Sequence, residues 1–201
     1  MGLSERLISE IRGEFPRFRL VPKRGDQLSR LIASTLKVLT FGAQDAYITH
    51  YHTVLGDTLY LPDSWESASD VQRAITLRHE WVHLRQRRRY GLPLMTFLYL
   101  LPFFPLGLAY GRARLEWEAY AESLRATAEY CGLDAAEDPE LRRQIVGRFV
   151  SGAYGWMWPF RSRVERWFDR SMREVRSEHG GRDAGRAAPM TTSSGVAGND
   201  G

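Results

Sequence analysis

Leu92 to Ala109 carries no charged residue and is almost wholly apolar, about the length of a bilayer-spanning helix. Pro93, Pro102 and Pro105 interrupt it. Proline removes a backbone donor and breaks an interior helical turn, which argues against one continuous span. The halves on either side of Pro102 are too short to cross a bilayer twice. A single crossing would leave the segments before and after the run on opposite sides of a membrane. If both segments serve one site, the run must leave and return on one side. It is then a buried core hairpin or lid, or else a re-entrant or interfacial loop flanked by Arg85–Arg89 and Arg112–Arg114.

The segment before the run contains His79-Glu80-Trp81-Val82-His83. Four-residue spacing on a helix puts both imidazoles on one face, where they can chelate a single metal ion. Glu80 lies one step round and can reach water bound to that metal. Zinc that activates water takes three protein ligands and keeps a fourth position open. The remaining histidines are His50, His52 and His179. The better third ligand lies after the run, in Glu116-Trp117-Glu118-Ala119-Tyr120-Ala121-Glu122. Glu118 and Glu122 are one turn apart, whereas Glu116 lies roughly 200° round the helix from Glu118. The expectation is Glu118 as ligand and Glu122 bonded to the distal nitrogen of a ligating histidine, fixing its tautomer.

His-Glu-x-x-His followed by Glu-x-x-Ala-acidic resembles the gluzincin metallopeptidases. That group includes thermolysin, the CAAX-prenyl-protease and heat-shock membrane proteases, and compact minigluzincins. The resemblance spans about Thr58 to Glu129. It implies His79, His83 and Glu118 as zinc ligands and Glu80 as the general base for peptide hydrolysis. A second donor to the substrate carbonyl is usual, with Tyr154, Tyr120 and His52 as candidates. It also implies an edge strand that pairs with extended substrate, which Leu59-Tyr60-Leu61 is in place to supply. Glu122 departs from the pattern, where Asp is common, and the apolar insertion is unusual for a soluble member.

The remaining pattern predicts an α+β fold, mostly helical, with a small antiparallel sheet packed on the metal helix. Helices are expected from Ser4 to Ile11, from a cap at Asp26 through Leu28, Leu31, Ile32 and Leu39, and from Ser67 or Ser69 to about Arg89. Others are expected from Arg112 to Cys131, closed by Gly132, and from Asp138-Pro139 to about Tyr154. A last helix shows Phe160, Val164, Trp167, Phe168, Met172 and Val175 on one side. Phe15 to Pro22 reads as a connector. Tyr47–Val54 and Thr58–Leu61 read as a hairpin turning at Gly56-Asp57. Trp156, Trp158 and Trp167 read as core. The single cysteine, Cys131, excludes a disulfide framework and a cysteine zinc knuckle, and reads as a plain buried thiol.

Length and pattern give one domain over residues 1–176, with the apolar insertion at 92–110 and a disordered tail at 177–201. The net charge of +4 comes without a nucleic-acid-binding motif, so DNA and RNA are not expected partners. The N-terminus lacks the apolar core of a signal peptide, so a cytoplasmic location is expected, with membrane association through residues 92–110 and the arginines as a variant. The reading is a zinc metallopeptidase acting on peptide or protein. The alternatives are an inactive zincin-like scaffold and a membrane-peripheral protein.

Overall fold

The computed structural model describes residues 1–22, 53–100, 110–151, 158 and 160–187. These residues are mostly helical, with one small sheet. In order they form helix α1 (Leu3–Glu14), strands β1 (Arg19–Pro22), β2 (Thr53–Leu55) and β3 (Thr58–Leu61), and a short 3-10 turn at Asp63–Trp65. Helices α2 (Asp70–Leu100), α3 (Tyr110–Cys131), α4 (Leu133–Ala136), α5 (Pro139–Val150) and α6 (Arg161–Ala187) follow.

β3 is the middle strand. β2 pairs with it antiparallel through a turn in which Gly56 has φ 61°, a left-handed conformation that glycine adopts without strain. β1 pairs with β3 in parallel, from Arg19 opposite Thr58 to Pro22 opposite Leu61. The sheet is therefore mixed rather than antiparallel. The two prolines suggested a connector, but Pro22 only ends the strand, where a missing donor costs little. The expected strand residues 47–52 and the expected helix from Asp26 lie outside the described residues.

Two cores flank α2 and α3. In the first, Leu7, Ile11 and Phe15 pack with Leu59, Leu61 and Trp65 and with Ala74, Leu77 and Leu84 of α2. Both ends of α1 are tied to α2. Asp70 accepts from the Leu3 and Ser4 amides (2.6 and 3.1 Å), which no turn of α1 can satisfy, and from the Ser4 hydroxyl. Glu14 accepts from Trp81 Nε1 (2.8 Å), Arg85 and Arg88. In the second core, Tyr120, Leu124 and Ala128 of α3 meet Ile145, Val146 and Phe149 of α5 and Val164, Phe168, Met172 and Val175 of α6. Trp167 stacks on Trp117 and Trp158 is buried beside them, both core as expected. Trp156 lies outside the described residues.

Ser69 and Gln72 cap α2 reciprocally. The Gln72 amide donates to Ser69 Oγ (3.2 Å) and the Ser69 amide to Gln72 Oε1 (3.0 Å). Ser67, the other candidate, donates to the Ser64 carbonyl instead. α2 breaks at Gly91 (φ 75°, ψ 157°), two residues before Pro93, and the apolar arm begins there. Leu98 on that arm lies against Gly111 at the start of α3, where a Cβ would fall 2.6 Å from Leu98 Cδ2. The described part of the apolar run thus lies back against the start of α3, and residues 101–109 lie outside the described residues. No helix among the described residues is long and apolar enough to cross a membrane.

Three expectations need correction at the C-terminal side. α3 does end at Gly132 (φ 94°), but Cys131 is exposed rather than buried. α5 ends at Val150, short of Tyr154, which lies outside the described residues. α6 continues to Ala187, through the first part of the expected tail, and Arg125 of α3 helps hold it by donating to Glu178 (3.1 Å).

Candidate metal centre

α2 and α3 lie side by side, and each brings one face to the other. Ser69 sets the start of α2, and its continuous turns carry His79 and His83 to the same side. Their Nε2 atoms are 3.3 Å apart. Across from them on α3 stands Glu116, whose Oε2 lies 3.6 Å from His79 Nε2 and 3.8 Å from His83 Nε2. Among the described residues, His79, His83 and Glu116 form the group able to hold a metal ion.

Glu118 is not part of it. Its carboxylate accepts from Gln86 Nε2 (2.8 Å) on the exposed side of α3. Glu122 does not reach a histidine either, because Arg78 Nε donates to it at 2.7 Å. The cause is helical phase. Glu116, Tyr120, Leu124 and Ala128 form one i, i+4 ladder, and that ladder faces inward. Tyr120, Leu124 and Ala128 are legible in the sequence as a buried stripe, and Glu116 continues it by one turn. Glu116 also has the Glu-x-x-Ala spacing, through Ala119.

The hydrogen bonds around the imidazoles set their tautomers. Ser123 Oγ donates to the Ala119 carbonyl (3.2 Å), so it accepts from His79 Nδ1 at 3.0 Å. Both amide hydrogens of Gln86 are engaged, by the Leu115 carbonyl (2.9 Å) and by Glu118 (2.8 Å). Gln86 Oε1 therefore faces His83 and accepts from its Nδ1 at 2.9 Å. With both Nδ1 atoms donating, both Nε2 atoms present lone pairs to one point. Ser123 and Gln86 take the role expected of Glu122. Neither lies in the five-residue motif, and their polar side chains on buried helix faces are the signal that marks them.

Three acceptors this close repel one another unless a cation or a proton lies between them. Their electrostatics carry that mark. Burial disfavours a charged His79, but contact with Glu116 and the charges of Glu80 and Glu116 outweigh it, and its pKa is raised. Burial disfavours an ionised Glu116 in the same way. The charge of His83, contact with His79 and the charge of Arg112 outweigh that, and hold it well below the usual carboxylate range. The donor set also fits zinc in size. A triangle with sides 3.3, 3.6 and 3.8 Å has a circumscribed radius of about 2.1 Å, the shortest distance at which one ion could touch all three atoms, and an ion lifted from their plane toward a fourth, open position would stand slightly farther off.

His79 and Glu116 of the centre line a cavity of about 240 Å³ between α2, α3 and α5. Glu80, buried beside His79, is on its wall, with Arg112, Tyr120 and Arg148. The Tyr120 ring meets His79 edge to face at 4.9 Å, and its hydroxyl accepts from Arg148 at 2.8 Å. Leu59, Tyr60 and Leu61 are elsewhere. They are buried in the middle strand, whose two edges are taken by β1 and β2, so β3 offers no free edge to a substrate. His50, His52 and Tyr154 lie outside the described residues, and His179 is on α6, apart from the cavity.

No family model, curated protein or solved structure matches the chain.

Proposed function

We propose that the chain is a zinc-dependent metallopeptidase whose ligands are His79, His83 and Glu116 and whose general base is Glu80. The observation that carries this reading is the convergence of two imidazole Nε2 atoms and one carboxylate, of which His79 and Glu116 lie with Glu80 on one cavity wall. Two imidazoles and one carboxylate are the ligand set of hydrolytic zinc, with a fourth position left for water or substrate.

Zinc, when bound, supplies a Lewis acid that lowers the pKa of water and polarises a carbonyl. The residues do the rest. Glu80 accepts a proton from the attacking water and passes it to the leaving amine. Ser123 and Gln86 keep the imidazoles in the ligating tautomer. The Tyr120 hydroxyl, on the cavity wall with its ring against His79, is the donor assigned to the substrate carbonyl. The apolar side chains Ile75, Leu124, Leu141 and Ile145 limit water in the cavity.

Metal analysis and a peptide-cleavage assay on purified chain test the reading together. One zinc per chain is expected, lost on His79→Ala or Glu116→Ala. Glu80→Gln is expected to keep the zinc and lose turnover. Native protein that holds no metal and whose unfolding ignores chelator would overturn the reading. Zinc retained with no turnover on any peptide would leave the scaffold alternative in its place.

A further inference from the structure

Helix α6 carries a surface that the metal centre does not use. It buries Val164, Phe168, Met172 and Val175 against α3 and α5. At ~100° per residue, Arg163, Arg166, Arg170 and Arg173 fall within roughly 80° of one another on the opposite side. All four are exposed. The row they form runs about 15 Å along the helix axis.

The acids of the helix are drawn away from that row. Glu165 pairs with Arg161 (3.6 Å) and Asp169 with Arg142 of α5 (2.5 Å). Glu174, which borders the row, is held by Arg125 of α3 (3.4 Å), as is Glu178 (3.1 Å). A helix face of one sign favours a covering partner of the other, and here that partner is anionic.

The row begins at an aromatic corner. Phe160 and Tyr110 are 47% and 51% exposed, and Trp158 lies between them with ring centroids 5.5 and 5.0 Å away. The Arg163 guanidinium stands over the Phe160 ring at 5.4 Å and the Trp158 ring at 6.0 Å, joining corner to row. Tyr110 opens α3 directly after the uncharged run, and Arg114 is exposed one turn further on. Exposed rings beside arginines suit the boundary of a phospholipid bilayer, where rings seat at headgroup depth and guanidinium groups meet phosphate. A nucleic-acid duplex would meet the arginines but offers Phe160 and Tyr110 no apolar layer.

We propose that Arg163, Arg166, Arg170 and Arg173, with Phe160 and Tyr110 at one end, form a surface that docks the chain on an anionic phospholipid membrane, with α6 lying along the headgroups. The surface does not depend on the metallopeptidase reading and is tested without turnover.

The test is flotation of the full chain with vesicles of phosphatidylcholine containing about one-third phosphatidylglycerol, against phosphatidylcholine alone, in about 0.1 M salt. The chain is expected to float with the first and not with the second. The triple variant Arg166→Gln, Arg170→Gln, Arg173→Gln is expected to lower the partition on the order of 100-fold, from about fivefold per arginine. The control Arg6→Gln, Arg12→Gln, Arg17→Gln removes the same charge from exposed positions of the N-terminal segment and is expected to change it by less than about threefold. Phe160→Ser is expected to weaken the binding that persists at high salt by several-fold. All these variants alter exposed side chains, and urea unfolding midpoints near wild type check that each is folded. Equal partition into the two kinds of vesicle, or equal loss in the two triple variants, overturns the proposal. So does an oligonucleotide bound more tightly than the anionic vesicles with the same dependence on the α6 arginines, which assigns the surface to nucleic acid.

Discussion

His83 Nδ1 donates to Gln86 Oε1 across 2.9 Å, three residues along the same helix, and this bond decides which nitrogen of His83 meets His79. Gln86 is itself held by Leu115 and Glu118 of α3, so the orientation of a ligand on α2 depends on how α3 is docked. Gln86→Leu removes the acceptor and leaves the His83 ring free to turn or to change tautomer. The expected result is zinc affinity lower by about 10- to 100-fold, read by competition with a chromophoric chelator. The same affinity in Gln86→Leu would show that packing alone orients His83.

Glu116 and Glu118 are separated by one residue and by slightly more than a half-turn of helix. Glu116→Gln removes a charged ligand atom from the centre and is expected to abolish stoichiometric zinc binding. Glu118→Gln keeps a carbonyl oxygen able to accept from Gln86 and is expected to hold zinc within a few-fold of wild type. Zinc content and chelator competition on the two variants distinguish them, and the reverse pattern would restore Glu118 as the ligand.

Chelator-stripped protein is expected to have a stability maximum in mildly acidic solution. The His79 pKa is raised in the folded chain, so its contribution is complete below the unfolded value near 6.5 and is lost as pH rises through the folded value. The Glu116 pKa is lowered, so its contribution is present above the unfolded value near 4.5 and is lost as pH falls through the folded one. Unfolding midpoints should therefore decline on both sides of a window between those values. His79→Gln should flatten the alkaline decline. Zinc should flatten it too, because a bound cation takes the place of the proton among the three ligand atoms. Thermal scans across pH with and without zinc give the comparison.

Gly111 lets the arm after Gly91 close onto α3. A Cβ there would stand 2.6 Å from Leu98 Cδ2 and 3.3 Å from its Cβ. Gly111→Val is expected to destabilise the chain by about 1–3 kcal/mol through overpacking, measured by urea unfolding. Adding Leu98→Ala should recover part of that loss, because it removes the atom in closest contact. Additive losses in the double variant would mean that the two residues do not bear on each other.

The division between what was legible and what was not follows interaction range. His79, Glu80 and His83 were legible because an i, i+4 pair is a property of one helix, whatever surrounds it. The start of α2, narrowed to Ser67 or Ser69, the Gly132 end of α3 and the Gly56 turn were legible for the same reason, since each depends on a few neighbouring residues. β1 was not, because a parallel pairing of residues 19–22 with 58–61 has no local signature and takes its backbone partners from far along the chain. α6 beyond Ser177 was not, because its Gly180 and Gly181 read locally as a helix end while ion pairs to α3 lie outside that view. The identity of the third carboxylate belongs to the same class. Sequence spacing allows Glu116 or Glu118, and only the rotation of α3 against α2 turns one of them to the histidines and hands the other to Gln86. That rotation is set by the apolar ladder of Tyr120, Leu124 and Ala128, which has to be buried against α5 and α6, and Glu116 is carried inward with it.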